Sequence, residues 1–192
     1  MRPTTAIILA AGLSRRMGTQ KLLLPIGGKP MIQHCLDLAA RFPFTRSVLV
    51  TTQAIADQVY WMGEIVINPG PEQGQSTSVC LGVQAADAGD SLFFFMGDQP
   101  LLDEATITAI LEADNGERIV YPVGADNQPK SPTLFAPRFR ADLLALTGDE
   151  GGRQVRRQYP AACWPVSVAD GRILLDIDTP GEYAAWESGG KL

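Results

Sequence analysis

Short apolar runs alternate with segments of helical periodicity over about the first 120 residues. The apolar runs predict strands at residues 5–9, 47–51, 64–67 and 92–96. Apolar positions that recur at helical spacing predict helices at residues 30–40, 55–61, 76–86 and 106–111. A chain in which strands and helices alternate forms a twisted, mostly parallel sheet with helices on both faces. We therefore expect a three-layer α/β fold.

The alternation changes after residue 121. Residues 124–132 are polar and rich in turn-forming residues, and short apolar runs follow at residues 133–135, 164–166 and 173–175. Helices are predicted between them, at residues 138–146 and 151–157. No linker or repeat separates this part from the rest. We expect residues 1–192 to form a single domain, in which residues 121–192 complete the sheet and form the second half of a cleft.

The loop after the first predicted strand is the strongest candidate site. Small residues and glycine leave backbone N–H groups free to face a ligand, and three cations follow closely. Backbone donors beside cations are typical of a polyphosphate site. The glycine spacing and Thr19 exclude a Walker A loop, and the dinucleotide fingerprint is missing. The residues that we expect to contact the ligand are Leu9, Ala10, Ala11, Gly12, Ser14, Arg15, Arg16 and Lys21.

A carboxylate follows the most apolar of the predicted strands. Asp98 comes two residues after this strand, with Gly97 between them. Ligands bind at the carboxyl ends of parallel strands, and Gly97 lets a ligand approach the backbone closely. One or two carboxylates together with substrate phosphates make a typical Mg²⁺ site. We expect Asp98 to bind Mg²⁺ near the first loop; the alternative is that it caps a helix.

The segment at residues 74–78 has a structural and a functional interpretation. In the structural one, Ser76 or Thr77 caps the helix that follows. In the functional one, the start of this helix faces the ligand of the first loop, and Gly74, Ser76 and Ser78 contact it. Both interpretations can hold together.

The segment at residues 175–180 also has two interpretations. Asp178 or Thr179 can cap a helix that begins near Pro180. Alternatively, a carboxylate of this segment, Asp178 or Asp176, completes the coordination of the metal that Asp98 holds. The sequence leaves these alternatives open.

Composition narrows the class of ligand. The formal net charge is −5, which argues against nucleic-acid binding through a broad basic surface but not against a small phosphorylated molecule. No apolar run is long enough to span a bilayer, and no leader precedes the first strand, so we expect no membrane contact. The three cysteines are few and widely spaced, which favours a reduced, cytoplasmic location. We expect the only histidine, His34, to be structural.

The motifs of these segments resemble those of a known family. Leu9-Ala10-Ala11-Gly12-Leu13-Ser14-x-Arg16-Met17-Gly18, followed by Lys21-Leu22-Leu23, is similar to the signature of nucleotidyltransferases with a Rossmann-like catalytic domain. Segments 74–78 and 97–100 resemble the second and third blocks of that family. Segments 133–135, 146–152 and 176–180 look like late blocks of its molybdenum-cofactor branch. The likeness covers nearly the whole chain and is greatest to the cytidylyltransferases of that branch.

This resemblance implies a Mg²⁺-dependent transferase that moves CMP from CTP to the terminal phosphate of molybdopterin and releases pyrophosphate. Residues 1–120 would bind the nucleotide, residues 121–192 would face the acceptor, and a molybdoenzyme would contact the protein transiently. It implies catalytic roles for Lys21, Arg16 and Asp98, and metal binding by Asp98 and Asp178. The nucleotide-binding positions that it implies are Leu9, Ala10, Ala11, Gly12, Ser14, Arg15, Gly74, Ser76, Ser78 and Gly97.

The sequence leaves alternatives for both substrates. Guanylyltransferase relatives typically carry Gly where this chain has Ala11, and a methyl group there crowds a purine more than a pyrimidine. Just before residue 132, Lys130 departs from the pattern of the cytidylyltransferases, which leaves the acceptor less defined than the nucleotide. The alternatives are a GTP-dependent guanylyltransferase, an enzyme for another phosphorylated acceptor, and a non-catalytic carrier of the finished cofactor.

Overall fold

A seven-stranded sheet forms the centre of the computed structural model, which describes residues 2–187. The hairpin of β2 and β3 lies outside that sheet. In chain order the strands are β1 (Thr4–Ala10), β2 (Pro25–Ile26), β3 (Lys29–Pro30), β4 (Arg46–Thr51), β5 (Glu64–Ile67), β6 (Ser91–Met96), β7 (Ile119–Val123), β8 (Thr133–Phe135) and β9 (Cys163–Ser167). The helices are α1 (Met31–Ala39), α2 (Gln53–Ala56), α3 (Gln75–Ala85), α4 (Glu104–Ala113), α5 (Arg140–Leu144), α6 (Gly152–Gln158) and α7 (Pro180–Glu187).

The strands of the main sheet follow the order β5-β4-β1-β6-β8-β7-β9. β1 is parallel to both of its neighbours, β4 and β6, whereas β8 is antiparallel to β6 and to β7. β9 is parallel to β7 at the edge of the sheet. The predicted α/β fold with a mostly parallel sheet is confirmed, and the antiparallel β8 is the point at which the alternation of strands and helices changes.

The core lies on both faces of the sheet, because successive residues of a strand point to opposite sides. Ala6 and Ile8 of β1 pack on the side of α1 and α4, whereas Ile7 packs on the side of α3 and α5. The same alternation divides β6, where the tilted rings of Phe93 and Phe95 have centroids 4.6 Å apart. Strands buried on both faces form nearly continuous apolar runs in the sequence, which is why these two strands were predictable.

Local hydrogen bonds override several sequence predictions. The helix predicted at residues 55–61 is wrong beyond α2, because the side chain of Gln33 accepts a hydrogen bond from the backbone N–H of Tyr60 at 3.0 Å. The helix predicted to reach residue 146 ends at Leu144, and Glu150 accepts a hydrogen bond from the backbone N–H of Thr147 at 3.0 Å. The apolar run at residues 173–175 lies in and after a 3₁₀ turn rather than in a strand.

The hairpin of β2 and β3 connects the first loop to α1. Its two-residue turn consists of Gly27 and Gly28, whose φ angles of 55° and 87° favour glycine. Pro30 precedes α1 as its cap rather than forming its first residue, with ψ at 140°. The ring Nε2 of His34 contacts the carbonyl of Ile26 at 2.8 Å, which ties α1 to the hairpin.

None of the helices within residues 2–187 is long and apolar enough to span a membrane. Cys35, Cys80 and Cys163 are free thiols, and burial raises the pKa of the Cys35 thiol above its ordinary range. Cys35 therefore behaves as an apolar core residue of α1.

Helix α3 packs very closely on the sheet at Gly82. A Cβ atom at this position would lie 2.4 Å from Cγ2 of Ile7, a fully buried β-branched side chain that cannot move aside. We predict that Gly82→Ala lowers the free energy of unfolding by about 1–3 kcal/mol through overpacking, despite the better helix propensity of alanine. Urea denaturation measures the difference. Gly89→Ala, where no atom lies within 4 Å of the added carbon, is the control and should leave the midpoint nearly unchanged.

Candidate active site

The candidate site lies at the carboxyl edge of the sheet, where β1 and β6 end side by side. The N–H of Gly97 donates to the carbonyl of Leu9 at 3.1 Å, so the two strand ends stay in contact past the last paired residues. The N–H of Ile177 donates to the carbonyl of Asp98 at 3.2 Å. These backbone bonds bring together the first loop, Asp98 and the segment at residues 176–179, which are far apart in the sequence.

Lys21 lies between two carboxylates at this edge. Its Nζ is 2.6 Å from Oδ2 of Asp98 and 2.5 Å from Oδ1 of Asp178. The side chains of Lys21 and Asp98 are 11% and 15% exposed, so water screens their interaction poorly. Arg16, which is 70% exposed, contacts the other oxygen of Asp178 at 2.6 Å. The structure thus brings together all the residues that the sequence predicts for catalysis and metal binding.

These charges shift the ionisation of the groups around them. Burial alone would lower the pKa of Lys21, but the charges and hydrogen bonds of Asp98 and Asp178 outweigh burial and raise that pKa above its ordinary value. Burial would likewise raise the pKa of Asp178, and its contacts with Lys21 and Arg16 lower it instead. Lys21 and Asp178 therefore remain a charged pair at neutral pH.

A third carboxylate, Asp176, lies on the wall of a large cavity that adjoins this site. One side of Asp176 is exposed to the water in the cavity, whereas protein atoms surround it on its other sides. This burial, together with the negative charges of Asp98 and Asp178, raises the pKa of Asp176 to about 6. The raised pKa indicates that the charged form of Asp176 is disfavoured in this environment.

Asp178 is free to face Lys21 because its neighbour caps α7. The hydroxyl of Thr179 accepts a hydrogen bond from the N–H of Glu182 at 3.2 Å, and the Glu182 carboxylate accepts from the N–H groups of Thr179 and Asp178, both at 2.8 Å. This reciprocal arrangement is a capping box. Of the alternatives left open by the sequence, Thr179 is the residue whose side chain caps the helix.

The first loop is closed by Ser14 and Gln20. The Ser14 hydroxyl donates to Oε1 of Gln20 at 2.8 Å and accepts from the N–H of Lys21 at 3.2 Å. Nε2 of Gln20 donates to the carbonyl of Gly12 at 3.1 Å. Ser14, predicted as a ligand contact, thus uses its hydroxyl within the loop. The sequence does not predict a role for Gln20, because no local pattern distinguishes it from a surface residue.

A cavity of about 370 Å³ opens beside this loop. Among the predicted contact residues, the ones on its wall are Leu9, Ala11, Gly12, Ser14, Arg15, Lys21, Gly74, Ser78, Gly97 and Asp98. Ala10 and Ser76 do not line it; both are buried behind it. Arg16 and Asp178 stand outside its wall, although they adjoin Lys21. Glu72 and Gln75 line it as well and were not predicted.

The start of α3 packs against the loop that contains Gly148. Gly74 has a φ of 106°, and a Cβ atom there would lie 2.2 Å from the carbonyl oxygen of Gly148. The N–H of Ser76 donates to the same carbonyl at 3.1 Å. The prediction that Ser76 or Thr77 caps the helix is wrong, because α3 begins at Gln75 without a side-chain cap. The hydroxyl of Ser78 accepts a hydrogen bond from Asn68 at 2.9 Å.

A larger cavity of about 870 Å³ lies next to the smaller one. The two cavities share the wall residues Leu9, Gln75, Met96 and Asp149. Helix α6 lines the larger cavity with Arg153, Arg156 and Arg157. The guanidinium of Arg156 lies over the ring of Tyr121 at 4.9 Å, and burial lowers the pKa of Arg156. Helix α6 therefore offers positive charge to an anionic ligand in a cavity that five carboxylates also line, namely Asp149, Glu150, Asp176, Asp178 and Glu182.

The carboxylates of the site also suit a divalent cation. Within residues 2–187, no three His, Cys, Asp or Glu side chains are grouped closely enough to hold a metal on their own. However, Oδ1 of Asp98 is buried and has no hydrogen-bond partner among the described residues. Such an atom is costly unless a further ligand contacts it. Because Mg²⁺ typically uses one or two carboxylates together with substrate phosphates, Asp98 and Asp178 fit this chemistry.

A mostly parallel α/β sheet with a cationic loop and a poorly exposed carboxylate at its carboxyl edge is typical of enzymes that bind nucleotides. The family described as the MobA-like NTP transferase domain matches residues 6–163. The chain therefore belongs to the MobA-like NTP transferase family and has nucleotidyltransferase activity of that kind.

Two relatives and two solved structures are similar to this chain. The chain is 30% identical to the purine catabolism protein PucB of Bacillus subtilis, over 92% of each chain. It is 27% identical to the molybdenum cofactor guanylyltransferase of Shewanella loihica, over 80% of this chain and 79% of that one. A Mycobacterium sp. strain JC1 homologue of the Mycobacterium tuberculosis protein Rv0371c is 26% identical, with a TM-score of 0.85 and 97% and 96% coverage. Rv0371c itself, solved with manganese, is 22% identical, with a TM-score of 0.82 and 96% and 97% coverage.

Glu182 offers a test of how the capping box supports the site. We predict that Glu182→Ala reduces kcat/KM at least about 10-fold, because the backbone at Asp178 loses its support. Glu182→Gln keeps an acceptor oxygen and should largely restore activity. Steady-state assays of pyrophosphate release measure both variants.

The control for this prediction is Asp103→Ala. Asp103 caps α4 by accepting from the N–H of Thr106 at 2.9 Å, away from the site. Its loss should cost a similar free energy of unfolding, about 1 kcal/mol, without a comparable loss of kcat/KM. Equal losses of activity in Asp103→Ala and Glu182→Ala would show that Glu182 acts through stability alone.

Proposed function

We propose that this nucleotidyltransferase transfers CMP from CTP to the terminal phosphate of molybdopterin, with Mg²⁺ held by Asp98 and Asp178. The observation that carries the proposal is the position of Lys21 beside a nucleotide-sized cavity, next to two carboxylates and to a second cavity that the arginines of α6 line. A carrier without catalysis has no need of a poorly exposed lysine and two carboxylates at the junction of two cavities. The residues named below as contacts and catalysts are part of this proposal.

Charge neutralisation is the main task of the site. In the proposed reaction a phosphate oxygen of the acceptor attacks the α-phosphorus of the nucleotide in line with the leaving pyrophosphate, so two anions must meet. Lys21 would neutralise the charge that develops on the α-phosphate, and Arg16 would hold the β- and γ-phosphates with its forked donors. Bound Mg²⁺ would supply Lewis-acid polarisation of the α-phosphate oxygens.

The acceptor needs no general base in this scheme. A phosphate monoester is largely ionised near pH 7, so its oxygen is already a nucleophile. The only histidine of the chain, His34, is engaged with the hairpin backbone and lines neither cavity. The protein's contribution is therefore to align the two substrates and to hold cations around them.

Two features of the larger cavity support a phosphorylated acceptor. Arg153, Arg156 and Arg157 line it from one helix, and no Asp or Glu among the described residues forms an ion pair with Arg156. A half-buried guanidinium without a carboxylate partner favours an anionic ligand. Because the two cavities share wall residues, an acceptor phosphate in the larger one would lie close to a nucleotide in the smaller one. The molybdenum cofactor guanylyltransferase of Shewanella loihica, a relative, supports molybdopterin as that acceptor.

A solved structure similar to this chain also supports the proposal that the site binds a divalent cation. The Rv0371c structure solved with manganese has the same fold. In this chain, the buried Oδ1 of Asp98 is an oxygen atom for which no partner is provided by the described residues. An oxygen donor set of this kind takes Mg²⁺ or Mn²⁺.

An assay of pyrophosphate release with each of the four nucleotides, with and without molybdopterin, tests the proposed function. Release with CTP that depends on molybdopterin is expected. Molybdopterin-dependent release with GTP instead would identify a guanylyltransferase, which the relative from Shewanella loihica makes the second candidate. Release with CTP that requires a different phosphorylated acceptor would refute molybdopterin as the substrate.

The role of Asp98 is open to a direct test. We predict that Asp98→Asn lowers kcat at least about 100-fold, because the amide cannot bind a cation or balance charge as a carboxylate does. Thermal unfolding checks that the fold survives. Asp37→Asn, which removes a carboxylate paired with Lys29 outside both cavities, is the matched control and should retain activity. Full turnover by Asp98→Asn at saturating Mg²⁺ would refute the metal assignment.

Ala11 is the proposed determinant of nucleotide choice. It lies on the wall of the smaller cavity and is only 4% exposed, so its methyl group takes up space that a larger base would need. We predict that Ala11→Gly shifts the ratio of kcat/KM for CTP to that for GTP about 10-fold towards GTP. Competition assays with both nucleotides measure the ratio directly. An unchanged ratio would mean that another part of the cavity reads the base.

A further inference from the structure

The two carboxylates proposed to hold the metal already have partners. Oδ2 of Asp98 and Oδ1 of Asp178 both contact Nζ of Lys21, and Oδ2 of Asp178 contacts Arg16. Of the four carboxylate oxygens, only Oδ1 of Asp98 lacks a hydrogen-bond partner among the described residues. The ammonium of Lys21 thus contacts two of the carboxylate oxygens that would bind a metal ion.

Because of both charge and space, Lys21 competes with a metal ion for these carboxylates. Asp98 and Asp178 face one lysine and one arginine, so their charges are already balanced, and a divalent cation entering alone would exceed the single negative charge that Asp176 adds nearby. Lys21 and Asp98 are 11% and 15% exposed, which leaves little water to screen that repulsion. A metal can therefore enter with favourable energy only if Lys21 moves to another anion.

The smaller cavity provides a place for such an anion. Lys21 and Arg15 line this cavity, together with backbone groups of the first loop. Arg16 is 70% exposed, so its side chain can turn without repacking the core. A lysine has a flexible stem, whereas the backbone at Lys21 is held by its hydrogen bond to Ser14. The ammonium can thus change partners while the loop stays in place.

We infer, on the basis of the proposed metal role of Asp98 and Asp178, that Lys21 and Arg16 are internal counter-ions that compete with the metal until a nucleoside triphosphate draws them away. The triphosphate takes over the two cations, and the carboxylates that they release bind the metal. The free enzyme therefore binds a divalent cation weakly, and the substrate that loads the site is the metal–nucleotide complex. Because such coupling is reciprocal, the metal strengthens nucleotide binding by the same factor.

Binding of Mn²⁺ to the intact protein, followed by electron paramagnetic resonance, tests this inference without turnover. The probe is Mn²⁺ alone and Mn²⁺ with α,β-methylene CTP or α,β-methylene GTP. For the unaltered protein we expect the nucleotide to tighten Mn²⁺ binding at least about 10-fold beyond the binding of Mn²⁺ by the nucleotide itself. For Lys21→Gln we expect Mn²⁺ alone to bind at least about 10-fold tighter than to the unaltered protein, with a smaller effect of nucleotide.

The controls separate this inference from the function on which it rests. Lys29→Gln removes a lysine paired with Asp37 outside the site and should bind Mn²⁺ like the unaltered protein. Arg16→Gln, at an exposed position, is a second variant that should tighten Mn²⁺ binding in the same direction. If Lys21→Gln and Arg16→Gln bind free Mn²⁺ no tighter than the unaltered protein, the competition is refuted while the metal role of Asp98 stands. If Asp98→Asn leaves nucleotide-dependent Mn²⁺ binding unchanged, both the inference and the metal assignment are overturned.

Discussion

A lysine held between two carboxylates imposes the strictest requirement on this fold. A poorly exposed ion pair is stabilising only when its geometry is good, and losing one partner leaves a charge that water cannot reach. Lys21 comes from the first loop, Asp98 from the end of β6 and Asp178 from the turn before α7. Three distant parts of the chain must therefore be positioned within hydrogen-bonding distance of one nitrogen atom.

The parallel pairing of β1 with β6 provides most of this positioning. Parallel neighbours end at the same edge, so the loops that follow them meet there. The segment before α7 then returns to this edge, where the N–H of Ile177 donates to the carbonyl of Asp98 and Nε2 of Gln99 donates to the carbonyl of Leu174 at 2.9 Å. Residues late in the chain thus complete a site that the first strands begin.

The sequence was informative at positions where the structure accepts only one kind of residue. Strands buried on both faces have to be apolar, so β1 and β6 were predictable, and with them the position of Asp98 at a strand end. Contacts between distant segments have no periodicity and were missed, such as Gly74 against Gly148. The choice between Asp178 and Thr179 as the cap was likewise undecidable locally, because both residue types cap helices well and the deciding partner of Asp178 is Lys21.

The arrangement of charge across the two cavities indicates how such a site can join two anions. Positive groups line both cavities, with Arg15 on the smaller one and the arginines of α6 on the larger one, whereas Lys21 lies between the carboxylates of Asp98 and Asp178. Negative groups lie at the junction, where burial, together with the charges of Asp98 and Asp178, raises the pKa of Asp176 to about 6. In the proposed reaction each substrate would be attracted to its own cavity, and the junction would repel both phosphates until cations balance it. A divalent ion arriving with the nucleotide would reverse the sign of the junction, so the two phosphates could approach only when the nucleotide is in place.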